Sequence, residues 1–320
     1  MTLVDVRPDD PALPVPQPAP PAGRAARRRA APPRERGPRR PLGPGRALLA
    51  WVLTAVGLLC LWLVLFATVL SGLQAAGAQR GLYDTMREEL SLATVPVGAP
   101  IDPGAPVALL TAPAAGWQNL VVVEGTSSGI LRDGPGHRAD TVLPGQAGVA
   151  VLYGKGVTYG APFGRISGFR PGDDIDVVTG FGEFHFTVSD VRRANDPLPP
   201  PLEPGTGRLT LVSVESGPGL QSLLPDQLVY VDAALKGDPA AGGGGRPAQV
   251  SAADQAMGTD PAALVPLLLW VQALALVVVA TTWAAVRWGG RQTWLVATPI
   301  LVAVLWGTTN TAMVLVPNLA

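Results

Sequence analysis

The sequence predicts an all-β barrel with short helices, carried by three transmembrane α-helices. Three observations predict it. Three apolar blocks are almost free of charge, short β-branched runs divided by Gly/Pro turns fill the stretch between the first and second blocks, and the charges are segregated along the chain. The 320 residues hold 24 basic and 24 acidic side chains. Residues 1–46 carry ten Arg against four acids, residues 47–79 carry no charge, and residues 80–260 carry twenty acids against twelve bases. Beyond them stand only Arg287 and Arg291. A neutral chain with an acidic middle excludes non-specific nucleic-acid binding as its general role. A hydrophobic content of 48% with 15% charged residues excludes disorder of the whole chain. One cysteine, Cys60, excludes a disulfide framework and a multi-cysteine metal site. No cofactor is implied.

The first 46 residues contain twelve prolines and an Arg-rich run, cannot bury a core, and read as a disordered cytoplasmic tail. About 20 apolar residues cross a bilayer as a helix. Spans therefore fall at 47–70, 262–286 and 294–316, with the membrane lipid as the first implied partner. Arg39, Arg40 and Arg46 precede the first span, and Arg287 and Arg291 lie between the second and third. The positive-inside rule puts both groups in the cytoplasm, with residues 80–260 and the end of the third span outside. Cys60 sits mid-span as an inert thiol. Pro266, Pro299, Thr308, Thr309 and Asn310 mark possible contacts between membrane helices.

Outside the membrane, Leu82, Tyr83, Met86 and Leu90 recur at helical spacing and predict a juxtamembrane helix over 78–93. Strands are predicted at Asn119–Val123, Val149–Tyr153, Ile175–Thr179, Glu183–Val191, Arg208–Val214 and Gln227–Ala233. Gly180-Phe181-Gly182 forms a hairpin turn between two of them. Short helices are predicted near Ser127–Arg132 and Pro162–Phe169. Strands at this frequency in a domain over 117–235 predict a closed or nearly closed barrel. The glycine-rich stretch 237–260 predicts a flexible linker to the second span. Asp173, Asp174 and Asp176 follow a Pro-Gly turn but lack calcium-loop spacing, so they predict a solvated turn.

An ordered series of motifs in the outer domain resembles the actinobacterial class E type sortases. The series is Val121-Val122-Val123-Glu124-Gly125-Thr126, Gly134-Pro135-Gly136-His137, Leu143-Pro144-Gly145-Gln146 and Thr158-Tyr159-Gly160-Ala161-Pro162-Phe163-Gly164. Arg170-Pro171-Gly172-Asp173 and Arg208-Leu209-Thr210-Leu211 extend it. The resemblance implies an eight-stranded barrel and a membrane-anchored cysteine transpeptidase that cleaves a sorting signal and joins it to an amine. That chemistry needs a Cys thiolate, a His proton shuttle and an Arg at the oxyanion.

At the matching positions this chain has Lys155 for the His, Val214 for the Cys and Gln227 for the Arg. No cysteine lies outside the first span, and no arginine lies between Arg208 and Arg246. His137 matches a histidine outside the catalytic set, and His185 sits in a hairpin strand. The resemblance thus implies a degenerate member without the catalytic set: a pseudoenzyme that binds or scaffolds at the cell envelope. Its partner would be another envelope protein or a sorting-signal-like peptide. The groove candidates are Lys155, Thr158, Tyr159, Val214, Glu215 and Gln227. For Lys155 two readings stand, a solvated or locally paired cation and an attraction for a carboxylate or glycan. An alternative uses Ser213 or Ser216 with Lys155 as an unorthodox serine/lysine acyl-transferase or peptidase. Ser213 precedes the nucleophile position by one residue and would point to the other face of its strand.

Overall fold

A computed structural model describes residues 44–215, 227–242 and 244–320. The Pro/Arg-rich segment up to residue 43, Ser216 and Gly243 lie outside the described residues. The chain divides into residues 1–52 and 53–320, and the barrel with its helix contacts belongs to the second unit.

Helix α1 (Pro44–Leu65) takes in the last three residues of the segment assigned to the tail. A π-helical turn, Phe66–Leu70, joins it to α2 (Ser71–Leu92). The helix predicted over 78–93 is thus the far end of one uninterrupted helical run, closed by Ala93 in the left-handed region at φ 54°. Helices α4 (Leu264–Trp288) and α5 (Gly290–Ala312) form a hairpin around Gly289, at φ 96°. Three helical stretches, Leu48–Leu92, Pro261–Trp288 and Gly290–Leu315, are long and apolar enough to cross a membrane. Within the hairpin, a Cβ on Gly307 would lie 2.6 Å from the Trp270 ring, so this glycine lets α4 and α5 approach.

Eight strands close into a barrel in the order β1-β2-β3-β4-β7-β8-β6-β5. They are β1 (Pro106–Ala112), β2 (Trp117–Glu124), β3 (Gly136–His137), β4 (Gly148–Tyr153), β5 (Asp174–Thr179), β6 (Gly182–Arg193), β7 (Gly207–Glu215) and β8 (Gln227–Lys236). The β2–β3 and β4–β7 pairs are parallel and the remaining pairs antiparallel. The six predicted strands all lie within these elements. Helix α3 (Ser128–Leu131) and a 3-10 turn at Ile166–Gly168 occupy the two predicted helical connections. The sequence missed β1 and β3. In β1 all but one residue are buried, so no alternation marks it.

Period-two packing fills the barrel interior with Leu110, Val122, Leu152, Phe186, Leu211 and Val231, among others. On the outer wall, Met86 of α2 packs with Leu109 and Val121. Gln79 of α2 pins the same wall: its Nε2 donates to Val121 O (3.1 Å) and Asp133 O (2.9 Å), and its Oε1 accepts from Val121 N (2.9 Å).

The linker read from composition as flexible is anchored to the barrel. Ala240 N donates to Gly145 O (2.8 Å), and Arg246 bonds Thr141 O and Gln146 Oε1. Thr126 donates its N–H to Asp254 Oδ1 (3.0 Å) and its hydroxyl to Asp254 O (2.6 Å). Composition averaged away the few polar residues that make these contacts.

Candidate functional site

The site forms where β4 ends beside β7. Their parallel register sets Tyr153 opposite Val212. Along β7, Leu209 and Leu211 belong to the barrel core, whereas Val212 and Val214 belong to a second apolar cluster with Leu131, Tyr153 and Leu319. After β4 the chain turns through Gly154-Lys155-Gly156. A Cβ on Gly154 would lie 2.4 Å from the Phe163 ring, and one on Gly156 would lie 2.5 Å from Val214 O. Only glycine fits at either position, which locks Lys155 between them.

Lys155 is fully buried and is not a solvated cation. Its Nζ donates to Ala320 O (3.0 Å), and Thr158 Oγ1 donates to the same oxygen (2.8 Å). The Tyr159 ring centroid stands 5.6 Å from Nζ. Burial pushes the Lys155 amine down to about 8, because a desolvated ammonium is disfavoured.

The residues that meet Lys155 come from the segment after α5. Asn318 N donates to Gly258 O (2.9 Å), Gly156 N donates to Leu319 O (2.9 Å), and Ala320 N donates to Pro317 O (3.0 Å). Asn318 Nδ2 donates to Thr126 O (2.7 Å) and Gln255 O (2.9 Å). Asn318 and Leu319 are both fully buried. Sequence reasoning missed these three residues, and no local signal marks them: their partners lie up to 192 positions away.

The other predicted residues separate. Tyr159 turns toward the long apolar helices, where its OH donates to Asn310 Oδ1 (2.8 Å), its N–H donates to Ser71 Oγ (3.1 Å), and its ring meets Phe66 edge-on. Burial pushes its phenol up to about 12. Trp62 Nε1 in α1 donates to Thr309 Oγ1 in α5 (2.9 Å), so Thr309 makes a contact between helices, whereas Asn310 meets the barrel loop at Tyr159. Glu215 is held by Arg193 through two bonds of 2.8 and 3.0 Å, which lower its carboxyl below the usual range. Gln227, opposite Glu215 in the ladder, is exposed. Ser213 is buried and donates to Gly154 O (2.9 Å), on the core side of β7 that the period-two alternation assigns it.

His137 is buried between Glu124 Oε2 (2.7 Å) and Val142 O (2.9 Å), in the barrel wall. His185 is an exposed partner of Asp176 (2.7 Å), and Cys60 lies in α1. The pocket therefore offers an ammonium, a hydroxyl and a backbone N–H to peptide oxygens, beside an apolar socket. An open cleft of about 630 Å³ adjoins it, lined among others by Tyr153, Val212, Arg138, Arg208, Arg192 and Tyr230. Arg192 reaches Asp232 Oδ2 (2.7 Å) while stacking 4.3 Å from the Tyr230 ring centroid, and Thr210 Oγ1 donates to Asp232 Oδ1 (2.6 Å).

Residues 110–213 match the sortase domain family. Among solved structures, sortase E of Streptomyces avermitilis is 28% identical, over 43% of this chain and 91% of that one, with a TM-score of 0.35. The SrtA sortase of Actinomyces oris is 27% identical, over 44% and 85%, with a TM-score of 0.38. A sortase D5 transpeptidase of Clostridium perfringens is 18% identical, over 50% and 99%, with a TM-score of 0.40. No curated protein matches the chain.

Proposed function

We propose that this chain is a membrane-anchored, sortase-like pseudoenzyme, an extracytoplasmic protein of the cell envelope that binds or scaffolds without transferring acyl groups. One observation carries the reading. Lys155, Val214 and Gln227 stand where the resemblance assigns the proton shuttle, the nucleophile and the oxyanion donor, while the only thiol, Cys60, lies in α1. Thiolate attack has no thiol at the matching position, and Gln227 lacks the charge of the arginine that the resemblance puts at the oxyanion.

The orientation rests on the arginines before the first span and at the α4–α5 turn. Contacts at both outer ends support it: Asp254, ahead of α4, and Asn318, after α5, both bond Thr126 of the barrel domain. The spans supply a surface for an envelope partner, and the groove suits a peptide of the sorting-signal type.

The depressed amine of Lys155 favours a serine/lysine enzyme as the second reading, since a base must be partly neutral. Against it, Ser213 is committed to Gly154 O and Lys155 to Ala320 O. The full chain in nanodiscs, mixed with sorting-signal peptides and an amine acceptor, separates the two. Peptide binding without product is expected. Product that disappears with Lys155→Ala would establish the enzyme and sink the pseudoenzyme.

A further inference from the structure

We infer that the pocket at Lys155, Thr158 and Val214 is a peptide-binding site whose resident occupant is the chain's own Asn318-Leu319-Ala320. A peptide in trans then enters only when this segment leaves. The inference deepens the binding reading above and rests on it.

The contacts have the form of ligand recognition. Three backbone groups of the segment are satisfied as those of a bound peptide would be: Asn318 N–H on Gly258 O, Leu319 O on Gly156 N–H, and Ala320 O on both Lys155 and Thr158, while Ala320 N–H closes a turn on Pro317 O. Such backbone bonds hold a peptide without reading its sequence. Two side chains are read. The Asn318 carboxamide donates to Thr126 O and Gln255 O, and Leu319 fills the socket of Leu131, Tyr153, Val212 and Val214. Ala320 is buried to 9% exposure, so a small residue fits there. The ligand class is a peptide with Asn, then Leu, then a small residue.

The segment is also placed to exchange. Asn318 Oδ1 is buried without a partner among the described residues, and the docked state buries the Lys155 ammonium. Both are costs of docking that leave the net hold weaker than the contacts alone suggest. Val316 and Pro317, which lead into it, are only half-buried.

Competition for one pocket lowers apparent affinity in proportion to the fraction of empty sites. The test uses a fluorescent pentapeptide with the sequence of residues 316–320 and the chain in nanodiscs, intact or lacking residues 318–320. The shortened chain is expected to bind at least about ten-fold more tightly, and Lys155→Met in that background to reverse the gain. Equal affinity of the two forms would overturn the occupancy. Cleavage of the peptide would instead overturn the binding reading beneath it. A second measurement guards against misfolding of the shortened chain. In an otherwise full-length Cys60→Ala background, maleimide labelling of Ala320→Cys is expected to be at least about ten-fold slower than that of exposed Glu203→Cys, and to accelerate with added peptide. Equal, peptide-independent rates would refute the inference.

Discussion

Replacing Lys155 with methionine removes a buried cation while keeping the length of its stem. The amine titrates near 8 in the folded chain against 10.5 for a free lysine. At neutral pH, folding therefore carries a protonation cost of about 3 kcal/mol, at 1.36 kcal/mol per unit. The sign follows from proton linkage: between pH 8 and pH 10.5 the unfolded chain binds the proton that the folded chain has lost, so stability rises with pH across that window. The neighbouring phenol does not interfere, because burial pushes Tyr159 up to about 12. Lys155→Met forfeits one bond to Ala320 O, worth about 1–3 kcal/mol, but Thr158 still serves that oxygen. Thermal melts in nanodiscs should give the variant a neutral-pH midpoint equal to or above that of the parent. The parent alone should gain stability from pH 8 to 10.5, by roughly 10 °C if the full 3 kcal/mol is realised. Matching pH profiles for the two proteins would refute the buried-amine argument.

Gly156→Ala should destabilise the barrel by about 1–3 kcal/mol, since the new Cβ would meet Val214 O at 2.5 Å and Val214 Cγ2 at 2.7 Å; chemical denaturation measures it. For orientation, in a Cys60→Ala chain, a cysteine at Glu203 should react with an impermeant maleimide added to intact cells. One at Gly290 should react only after the membrane is opened.

The long apolar helices were legible because hydropathy is local, and six strands because β-branched runs between turns are local too. The strand β1 was not, because α2 covers its outer face and both faces became apolar. The same logic divides the site. Lys155, Thr158 and Val214 were found together because a motif series places them, and Tyr159 belonged to that series although its side chain turns away to Asn310. Asn318, Leu319 and Ala320 were invisible because their role exists only once α5 delivers them to the barrel. The linker contacts of Arg246 and Asp254 failed to register for a related reason: a few specific bonds outweigh a flexible average composition.

Residues Lys155–Tyr159 form a short lever between two worlds. At one end Tyr159 bonds Asn310 inside α5, and at the other Lys155 and Thr158 hold Ala320, which is rooted in the same helix. An axial slip of α5, one turn of which is about 5.4 Å, strains both attachments together. Any displacement of α5 along its axis is thus shared between the Tyr159 and Ala320 attachments rather than borne by either one.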